Sequence, residues 1–499
     1  MSATTVILII GAYFLLLIGI SFLTASKADS STFFTGNRQS PWYLVAFGMI
    51  GASLSGVTFI SVPGWVGTSQ FSYLQVVLGY LVGYFVIATV LMPLYYRLNL
   101  VSIYGYLEQR FGFWSYKTGA FYFLLSRTIG AAFRLFLVAG VLQLAIFDAW
   151  NVPFHITVFI TILLIWLYTF RGGIRTIVWT DTLQTLFMLM AVVFAIYLIG
   201  DELDMTTGMM VEAVRESEYS KIFFWEWEGP KNFFKQFISG AFIAIVMTGL
   251  DQDMMQKNLT CRNLQDAQKN MFWFSITLVF VNLLFLMLGA LLYIYAGTKG
   301  IAIPERTDDL FPMLALDYFP VVAGITFLLG ITAAAYSSAD SALTALTTSF
   351  CVDFLGFKRE ETLELRVSQR RKRFMVHIGF SLLLFLLIVL FREVLDGAVI
   401  QKVFEAAGYT YGPLLGLYAF GLFTKKQVRD PLVPVICLIS PVLSYLLNIN
   451  SEKLLFGYKF GFEILLVNGL FTFIGMVLLI KSGRPHDNED GLAVQHKTN

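Results

Sequence analysis

The sequence is poor in charged residues: only 14% of its 499 residues are Asp, Glu, Lys or Arg, whereas 57% are hydrophobic. A soluble globular chain carries about 25% charged residues. The composition therefore excludes an ordinary soluble protein and indicates that lipid covers much of the outside. Three cysteines are too few and too scattered for a disulfide framework or a metal cluster, and the four histidines show no ligand spacing.

Two further features are missing. No Walker-type glycine loop is present, which argues against transport driven by ATP in this chain. No cleavable signal is indicated, because the first apolar run, residues 5–25, is too long and lacks a basic flank. The formal net charge of +2 gives no sign of a nucleic-acid partner, and none is expected.

Long apolar runs recur along the chain. A helix needs about 20 apolar residues to cross a bilayer, and on that scale we predict about thirteen transmembrane helices. They begin near residues 5, 42, 74, 117, 154, 176, 233, 270, 319, 374, 398, 430 and 459. The sequence thus predicts an all-α polytopic protein with one transmembrane domain in the lipid bilayer and a short polar tail, residues 481–499.

The loops differ in their content of Lys and Arg. If the N-terminus lies outside, the cytoplasmic loops hold more than twice as many of these residues as the outer loops, as the positive-inside rule requires. An odd number of helices then places the C-terminus in the cytoplasm. We predict a multi-pass protein of the cell (inner) membrane in this orientation.

The second predicted span, residues 48–64, is rich in glycine and hydroxyl side chains and contains Pro63. It is either a tightly packed interior helix, because small residues let helices approach closely, or a broken helix that lines a cavity. In the second case the free carbonyls, for instance those of Gly51 and Leu54, would bind a cation. The sequence alone favours neither interpretation.

The ninth predicted span carries Ala334, Ser337 and Ser338 on one helical face. One carbonyl and two hydroxyls are suitable ligands for a small alkali cation, and packing of small residues is the alternative. Asp340 argues against packing alone, because a carboxylate within a span is costly and a functional candidate. Asp181, in the sixth span, either benefits from the helix macrodipole or shares a cation or a proton with Asp340.

Arg127 and Arg134 are seven residues apart in the fourth span, hence on one face and about 10 Å apart along the axis. Pairing with a buried acid, or snorkelling of Arg134, would explain them structurally. Recognition of an anionic substrate is the functional interpretation, because Arg binds carboxylates bidentately. Asp251 and Asp253, at the cytoplasmic end of the seventh span, are predicted to be interfacial.

Several of these segments, in this order, resemble the sodium:solute symporter family, which includes sodium–glucose, proline and sialic acid symporters. The similar stretches are residues 52–59, 172–181, 252–256 and 334–353. The resemblance implies a LeuT-type fold, with one leading helix, two five-helix inverted repeats and two trailing helices. These segments are residues 5–25, 42–200, 233–423 and 430–480.

The resemblance also implies ligands for the coupling ion, sodium. The main sodium site would use backbone carbonyls and hydroxyls from Gly51, Leu54, Ala334, Ser337 and Ser338. A second cation position would include Asp181 and Ser341. Asp340 stands there in place of an expected hydroxyl, and it would serve either a second sodium ion or a proton.

The substrate pocket implied by the resemblance comprises Ser53, Ser55, Thr58, Tyr73 and Val77. Sugar-transporting members carry acidic or amide side chains at the positions of Thr58 and Val77, and this chain does not. Sialic acid members carry an arginine at the position of Ala131. Because Arg127 and Arg134 lie four residues before and three after it, they are candidate substrate ligands. The solute is left open among sugars, amino acids and carboxylates such as a sialic acid.

The resemblance implies a sodium-coupled symporter that imports a small organic solute by alternating access, not an enzyme. A proton-coupled symporter, to which Asp181 and Asp340 point, and a sensor built on a transporter fold are the alternatives. A membrane enzyme acting through Asp181 or His155 is disfavoured, because the sequence shows no clustered His/Asp/Ser site. The oligomeric state is not predicted.

Overall fold

The computed structural model describes residues 3–24, 40–100, 102–169, 174–357, 363–394 and 398–481. In these ranges the regular structure is helical, apart from two isolated bridges. Seven helices are long and apolar enough to cross a membrane, and a bent pair makes an eighth. Shorter apolar helices occupy the other predicted positions. The predicted tail beyond Lys481 and residues 358–362, which include Lys358 and Arg359, lie outside the described residues.

The chain begins with the leading helix α1 (Ala3–Thr24). The helices of the predicted first repeat follow: α2 (Trp42–Ser53), α3 (Gly56–Ser69), α4 (Tyr73–Val86), α5 (Gly105–Arg110), α6 (Phe113–Leu142), α7 (Phe154–Thr169) and α8 (Ile174–Glu202). A π-helical turn (Ile87–Leu91) continues α4 as far as Arg97. Gln70, with φ 55°, ends α3 and turns the chain into α4.

A loop with the short helix α9 (Thr207–Glu216) leads to the second predicted repeat. Its helices are α10 (Phe233–Ala244), α11 (Gln252–Asn258), α12 (Leu264–Lys299), α13 (Leu310–Met313), α14 (Val321–Ser349), α15 (Leu363–Val394), α16 (Val399–Thr410) and α17 (Gly412–Phe423). The trailing helices are α18 (Val433–Ile449), α19 (Ser451–Leu454) and α20 (Ile464–Leu478).

Both predicted repeats begin with an interrupted helix. In the second span, helical hydrogen bonding stops with the bond from Leu54 N to Ile50 O (2.7 Å) and resumes with that from Phe59 N to Ser55 O (3.1 Å). Leu54 has a non-helical ψ of 74°. In the seventh span, the chain bends by 72° between the π-helical turn after α10 and α11. The second span is thus a broken helix and not the continuous packed helix that was the alternative.

The interrupted second span lies at the centre of the protein. Its two halves, α2 and α3, pack against α12 and α14, while the most extensive interfaces join α4 with α10 and α8 with α14. A β-carbon at Gly51 would lie 2.1 Å from Thr185 Oγ1, so glycine is required for the close approach of α2 to α8. In contrast, the apolar windows of α15 and α18 are only 17% and 22% buried, as expected for helices that face lipid.

The loop between α12 and α14 contains a buried carboxylate, Asp308, which is 1% exposed. Its Oδ1 accepts a hydrogen bond from Ser61 Oγ on α3 at 2.7 Å. Its Oδ2 accepts one from the backbone N–H of Val399, the first residue of α16, at 2.8 Å. Burial raises the pKa of Asp308 to about 6, although both hydrogen bonds lower it. The loop is therefore tied to two helices through a group that titrates near neutral pH.

We expect the protein to become more stable as the pH falls from 7 to 5. Because the pKa of Asp308 rises from 3.8 to about 6 on folding, the folded state binds the proton more tightly. This contribution is present at low pH and is lost as the pH rises through about 6. The gain should be about 1 kcal/mol, measured by thermal unfolding of the detergent-purified protein.

Asp308→Asn should remove this pH dependence. Glu305→Gln replaces an exposed carboxylate of the same loop and should preserve it. A dependence of the same size in the Asp308→Asn protein would show that another group is responsible.

Candidate functional site

A cavity of about 80 Å³ lies beside the interruption of the second span. Its walls come from α2, α3, α4, α6, α12 and α16, from the end of α10 with the π-helical turn after it, and from Met254 on α11. Six of the seven predicted solute-binding residues line this one cavity: Ser53, Ser55, Thr58, Tyr73, Arg127 and Arg134. Val77 is not part of this lining. The fold thus brings the six residues together, and their role in binding stays a prediction.

The sequence analysis missed a large part of the cavity wall. Tyr80 and Tyr84 extend the face of α4 that begins with Tyr73, and their helical spacing was a usable signal. Asn282 and Phe404 lie on α12 and α16, in segments that none of the recognised motifs covers. These residues enter the cavity only because the two predicted repeats pack face to face.

Aromatic rings close the cavity on the side that is predicted to be extracellular. Tyr73 stacks on Phe404, with ring centroids 6.1 Å apart and planes inclined by 28°. Trp65 contacts Tyr73 at 6.1 Å, and Phe462, in the loop before α20, contacts Phe404 at 4.9 Å. Tyr73 and Phe404 are both buried, so this aromatic lid is shut in the present conformation.

The two arginines of α6 have different surroundings. Arg127 forms a buried ion pair with Asp253, and its Nη1 lies 3.8 Å from Asp251 Oδ2. Arg134 is 8% exposed, and its Nη1 has no hydrogen-bond partner among the described residues. Arg134 therefore presents an unused cationic donor at the cavity, whereas the charge of Arg127 is already balanced. Snorkelling does not explain Arg134, because its side chain does not reach the surface.

The prediction that Asp251 and Asp253 are interfacial was wrong, since they are 0% and 2% exposed. The 72° bend of the seventh span turns the start of α11 into the protein. Asp251 Oδ1 caps α11 by accepting the N–H groups of Asp253 and Met254. Its Oδ2 accepts a hydrogen bond from Tyr411 Oη at 2.9 Å. This network of Arg127, Asp251, Asp253 and Tyr411 is a polar cluster that a hydropathy scale cannot detect.

The predicted main sodium ligands lie on α14 and at the break between α2 and α3. The carbonyls of Gly51 and Leu54 fall within the interruption of helical bonding. On α14, Ser337 Oγ donates a hydrogen bond to Asp181 Oδ1 at 2.7 Å, and Ser338 Oγ donates one to the Ala334 carbonyl at 3.3 Å. Both hydroxyl protons are therefore committed to acceptors, which leaves oxygen lone pairs for a cation. The donor set suits a hard cation such as sodium.

The predicted second cation position contains a positive charge of the protein itself. Lys257 Nζ lies 2.9 Å from Asp181 Oδ2, and the two side chains are 2% and 1% exposed. Ser341 Oγ donates instead to Asp253 Oδ1 at 2.6 Å, and its backbone N–H donates to Asp340 Oδ1. The structure thus gives Asp181 and Ser341 different partners. The sequence analysis did not identify Lys257 as a partner of Asp181.

The sequence model of the sodium:solute symporter family matches residues 33–430. The sodium/sialic acid symporter NanT of Aliivibrio fischeri is 26% identical over 448 residues, which are 85% of this chain and 84% of that protein. The sodium-coupled monocarboxylate transporter 1 of Xenopus laevis is 24% identical over 431 residues, which are 83% of this chain and 65% of that protein.

The three-dimensional fold is similar to that of a Na+-coupled sialic acid symporter solved in a substrate-bound outward-open state. The TM-score is 0.80 at 18% sequence identity, and the match covers 95% of this chain and 98% of the other. At this identity the likeness concerns the fold alone. It confirms the predicted all-α architecture of the LeuT type.

Proposed function

The chain belongs to the sodium:solute symporter family, and we propose that it imports a small organic anion, bound by Arg134, together with sodium. Membership of the family makes it a multi-pass membrane protein and a sodium-coupled transporter of a small solute, not an enzyme. Sodium is therefore the coupling ion, in preference to the proton considered as an alternative. The solute class and the residues that bind it are the parts proposed here.

The observation that carries the anion assignment is the unused Nη1 of Arg134 at the cavity. A buried N–H group of a charged side chain that donates no hydrogen bond is costly, and a carboxylate would satisfy it with a charge-assisted hydrogen bond. The names of the two relatives support this assignment, because a sialic acid and a monocarboxylate both carry a carboxylate. Arg127 is less suited to this role, since Asp253 already neutralises it.

Coupling between ion and solute would arise in the interrupted segment of the second span. Gly51 and Leu54 provide predicted sodium ligands, while Ser53 and Ser55, interleaved with them, line the cavity. A sodium ion bound between this segment and α14 would hold both serines in place for the solute. By linkage, each ligand then raises the affinity for the other by the same factor.

Alternating access would open one of two closures at a time. The aromatic lid around Tyr73 and Phe404 separates the cavity from the predicted outside. The ion pair of Arg127 with Asp253 and the hydrogen bond of Tyr411 to Asp251 lie on the opposite side, at α11. Release into the cell would require the start of α11 to separate from α6, which carries Arg127, and from Tyr411 at the end of α16, and this separation breaks both polar contacts.

The proposal includes the orientation, with the N-terminus outside the cell (inner) membrane and the C-terminus in the cytoplasm. The excess of Lys and Arg in the predicted cytoplasmic loops supports it. Phe456, in the loop before α20, is 98% exposed and should face the outside. A cysteine placed there should react with a membrane-impermeant maleimide added to intact cells, and protection of this cysteine would reverse the orientation.

Arg134→Gln should weaken binding of the solute by roughly 10- to 100-fold, because hydrogen bonds to a charged group are worth about 1.5–3 kcal/mol. The measurement is uptake into proteoliposomes, in sodium and in choline buffer, of radiolabelled propionate, lactate and a sialic acid. Arg306→Gln, in the loop between α12 and α14, is the control and should retain uptake. Full sodium-dependent uptake of an anion by the Arg134→Gln protein would contradict the proposed role of Arg134.

A further inference from the structure

A second unused polar atom lies at the same cavity. Asn282, on α12, lines the cavity and is 1% exposed. Its Nδ2 donates a hydrogen bond to the carbonyl of Leu278 at 2.8 Å. Because that carbonyl can only accept, the amide nitrogen must face it and the amide oxygen must point away. Asn282 Oδ1 has no hydrogen-bond partner among the described residues.

A structural role accounts poorly for this side chain. An amide oxygen buried without a donor costs about 1–3 kcal/mol, and a leucine of similar size would avoid that cost. Leu278, one helical turn earlier, lines the cavity as an apolar residue. A water molecule would satisfy Oδ1 in the absence of solute, and a solute group that displaces it must replace its hydrogen bond.

We propose that Asn282 is a specificity residue that accepts a hydrogen bond from a hydroxyl group of the solute. The inference rests on the proposed function, in which Arg134 binds the carboxylate. Arg134 Nη1 is then a cationic donor and Asn282 Oδ1 a neutral acceptor, both without partners among the described residues, and the solute that satisfies both is a hydroxylated carboxylate. An amino acid fits less well, because no Asp or Glu side chain among the described residues lines the cavity to balance an ammonium group.

The test compares carboxylates that differ by one hydroxyl. The pairs are propionate and lactate, butyrate and 3-hydroxybutyrate, and phenylacetate and mandelate, with alanine as the amino counterpart of lactate. Sodium-dependent binding to the purified protein is measured by thermal shift for the wild type and for Asn282→Leu. The wild type should bind the hydroxylated member of at least one pair about 10-fold or more tightly than the member without the hydroxyl, because a site built to bind a hydroxyl rejects the analogue that lacks it. It should also bind lactate more tightly than alanine.

In the Asn282→Leu protein this ratio should fall to about one, because the affinity for the hydroxylated member falls. Asn282→Ala provides a second variant with the same expected result if the leucine protein does not fold. Ser275→Ala, on the same helix, removes a hydroxyl that donates only to the carbonyl of Phe272, and it should keep the wild-type ratio.

The possible failures are distinguishable. Equal binding within every pair, stronger binding of the amine, or a ratio that persists without Asn282 would overturn this inference and leave the organic-anion assignment standing. Absence of sodium-dependent binding by all of the carboxylates would overturn the organic-anion assignment, and this inference with it.

Discussion

Replacing Ser337 with alanine is expected to abolish the sodium-driven accumulation of the solute. Ser337 is a predicted sodium ligand, and its Oγ also donates to Asp181 at 2.7 Å. Alanine removes one hard oxygen from the ion and one hydrogen bond from a buried carboxylate, and each such loss costs about 1.5–3 kcal/mol. The affinity for sodium should therefore fall by roughly 100-fold or more.

The measurement is the half-saturating sodium concentration for uptake into proteoliposomes. Thr326→Ala is the matched control, because Thr326 lies on the same helix and its hydroxyl donates only to the carbonyl of Ala323. Ser338→Ala should weaken sodium binding in the same direction, since the proton of Ser338 goes to the Ala334 carbonyl within the predicted site. An unchanged sodium requirement in the Ser337→Ala protein would remove Ser337 from the sodium site.

Replacing Lys257 with methionine is expected to destabilise the folded protein by about 3–5 kcal/mol, the usual cost of breaking a buried ion pair from one side. Lys257 Nζ is the close cationic partner of Asp181, at 2.9 Å. Asp253 and Asp340 also act electrostatically on Lys257, so its loss removes a favourable charge interaction from three buried carboxylates, of which Asp253 keeps Arg127. Methionine has a similar length and is apolar, which restricts the change to the charge.

Thermal or denaturant unfolding in detergent measures this effect. The double variant Lys257→Met with Asp181→Asn should recover much of the lost stability, because it removes both charges of the pair. Lys269→Met, at an exposed position early in α12, should change stability little. If the double variant is as unstable as the single one, the pair is not the source of the effect.

The asymmetry between the two arginines has a mechanistic consequence. Arg127 lines the cavity but belongs to a network with Asp251 and Asp253, so replacing it should disturb folding or closure as well as binding. Arg134 Nη1, in contrast, has no hydrogen-bond partner among the described residues. The stability of a protein with Arg127 replaced should therefore fall more than that of a protein with Arg134 replaced. This comparison distinguishes a residue that holds the helices together from one that binds the solute.

The class of the protein follows from its composition and from its apolar runs. A bilayer leaves no water to satisfy backbone groups, so a long apolar segment must be helical. The run in residues 5–25 and the windows in α12 and α15 could therefore be predicted without any knowledge of the tertiary structure. The hydroxyls of Ser337 and Ser338 were also recognisable, because they occupy consecutive positions next to a carboxylate in an apolar helix.

The break in the second span was undecided in the sequence, because glycine and serine suit close helix packing and chain interruption equally well. Only the structure shows that helical hydrogen bonding stops at Leu54. It also shows that α14 packs closely against the start of α3, because a β-carbon at Gly56 would lie 3.8 Å from Ala335 Cα. The choice depends on neighbours that are far away in the chain.

The partners of the buried charges were also decided by the tertiary structure alone. Asp253 is interfacial by its sequence position, yet the bend of the seventh span carries it to Arg127. Lys257 follows in the same short helix and thereby reaches Asp181, while Arg134 Nη1 has no hydrogen-bond partner among the described residues and Asp251 and Asp253 act on Arg134 only electrostatically. Hydropathy is a sum over neighbours in the chain and determines which segments enter the membrane. Electrostatic pairing depends on distances of a few ångströms between helices, and these distances exist only once the helices have packed.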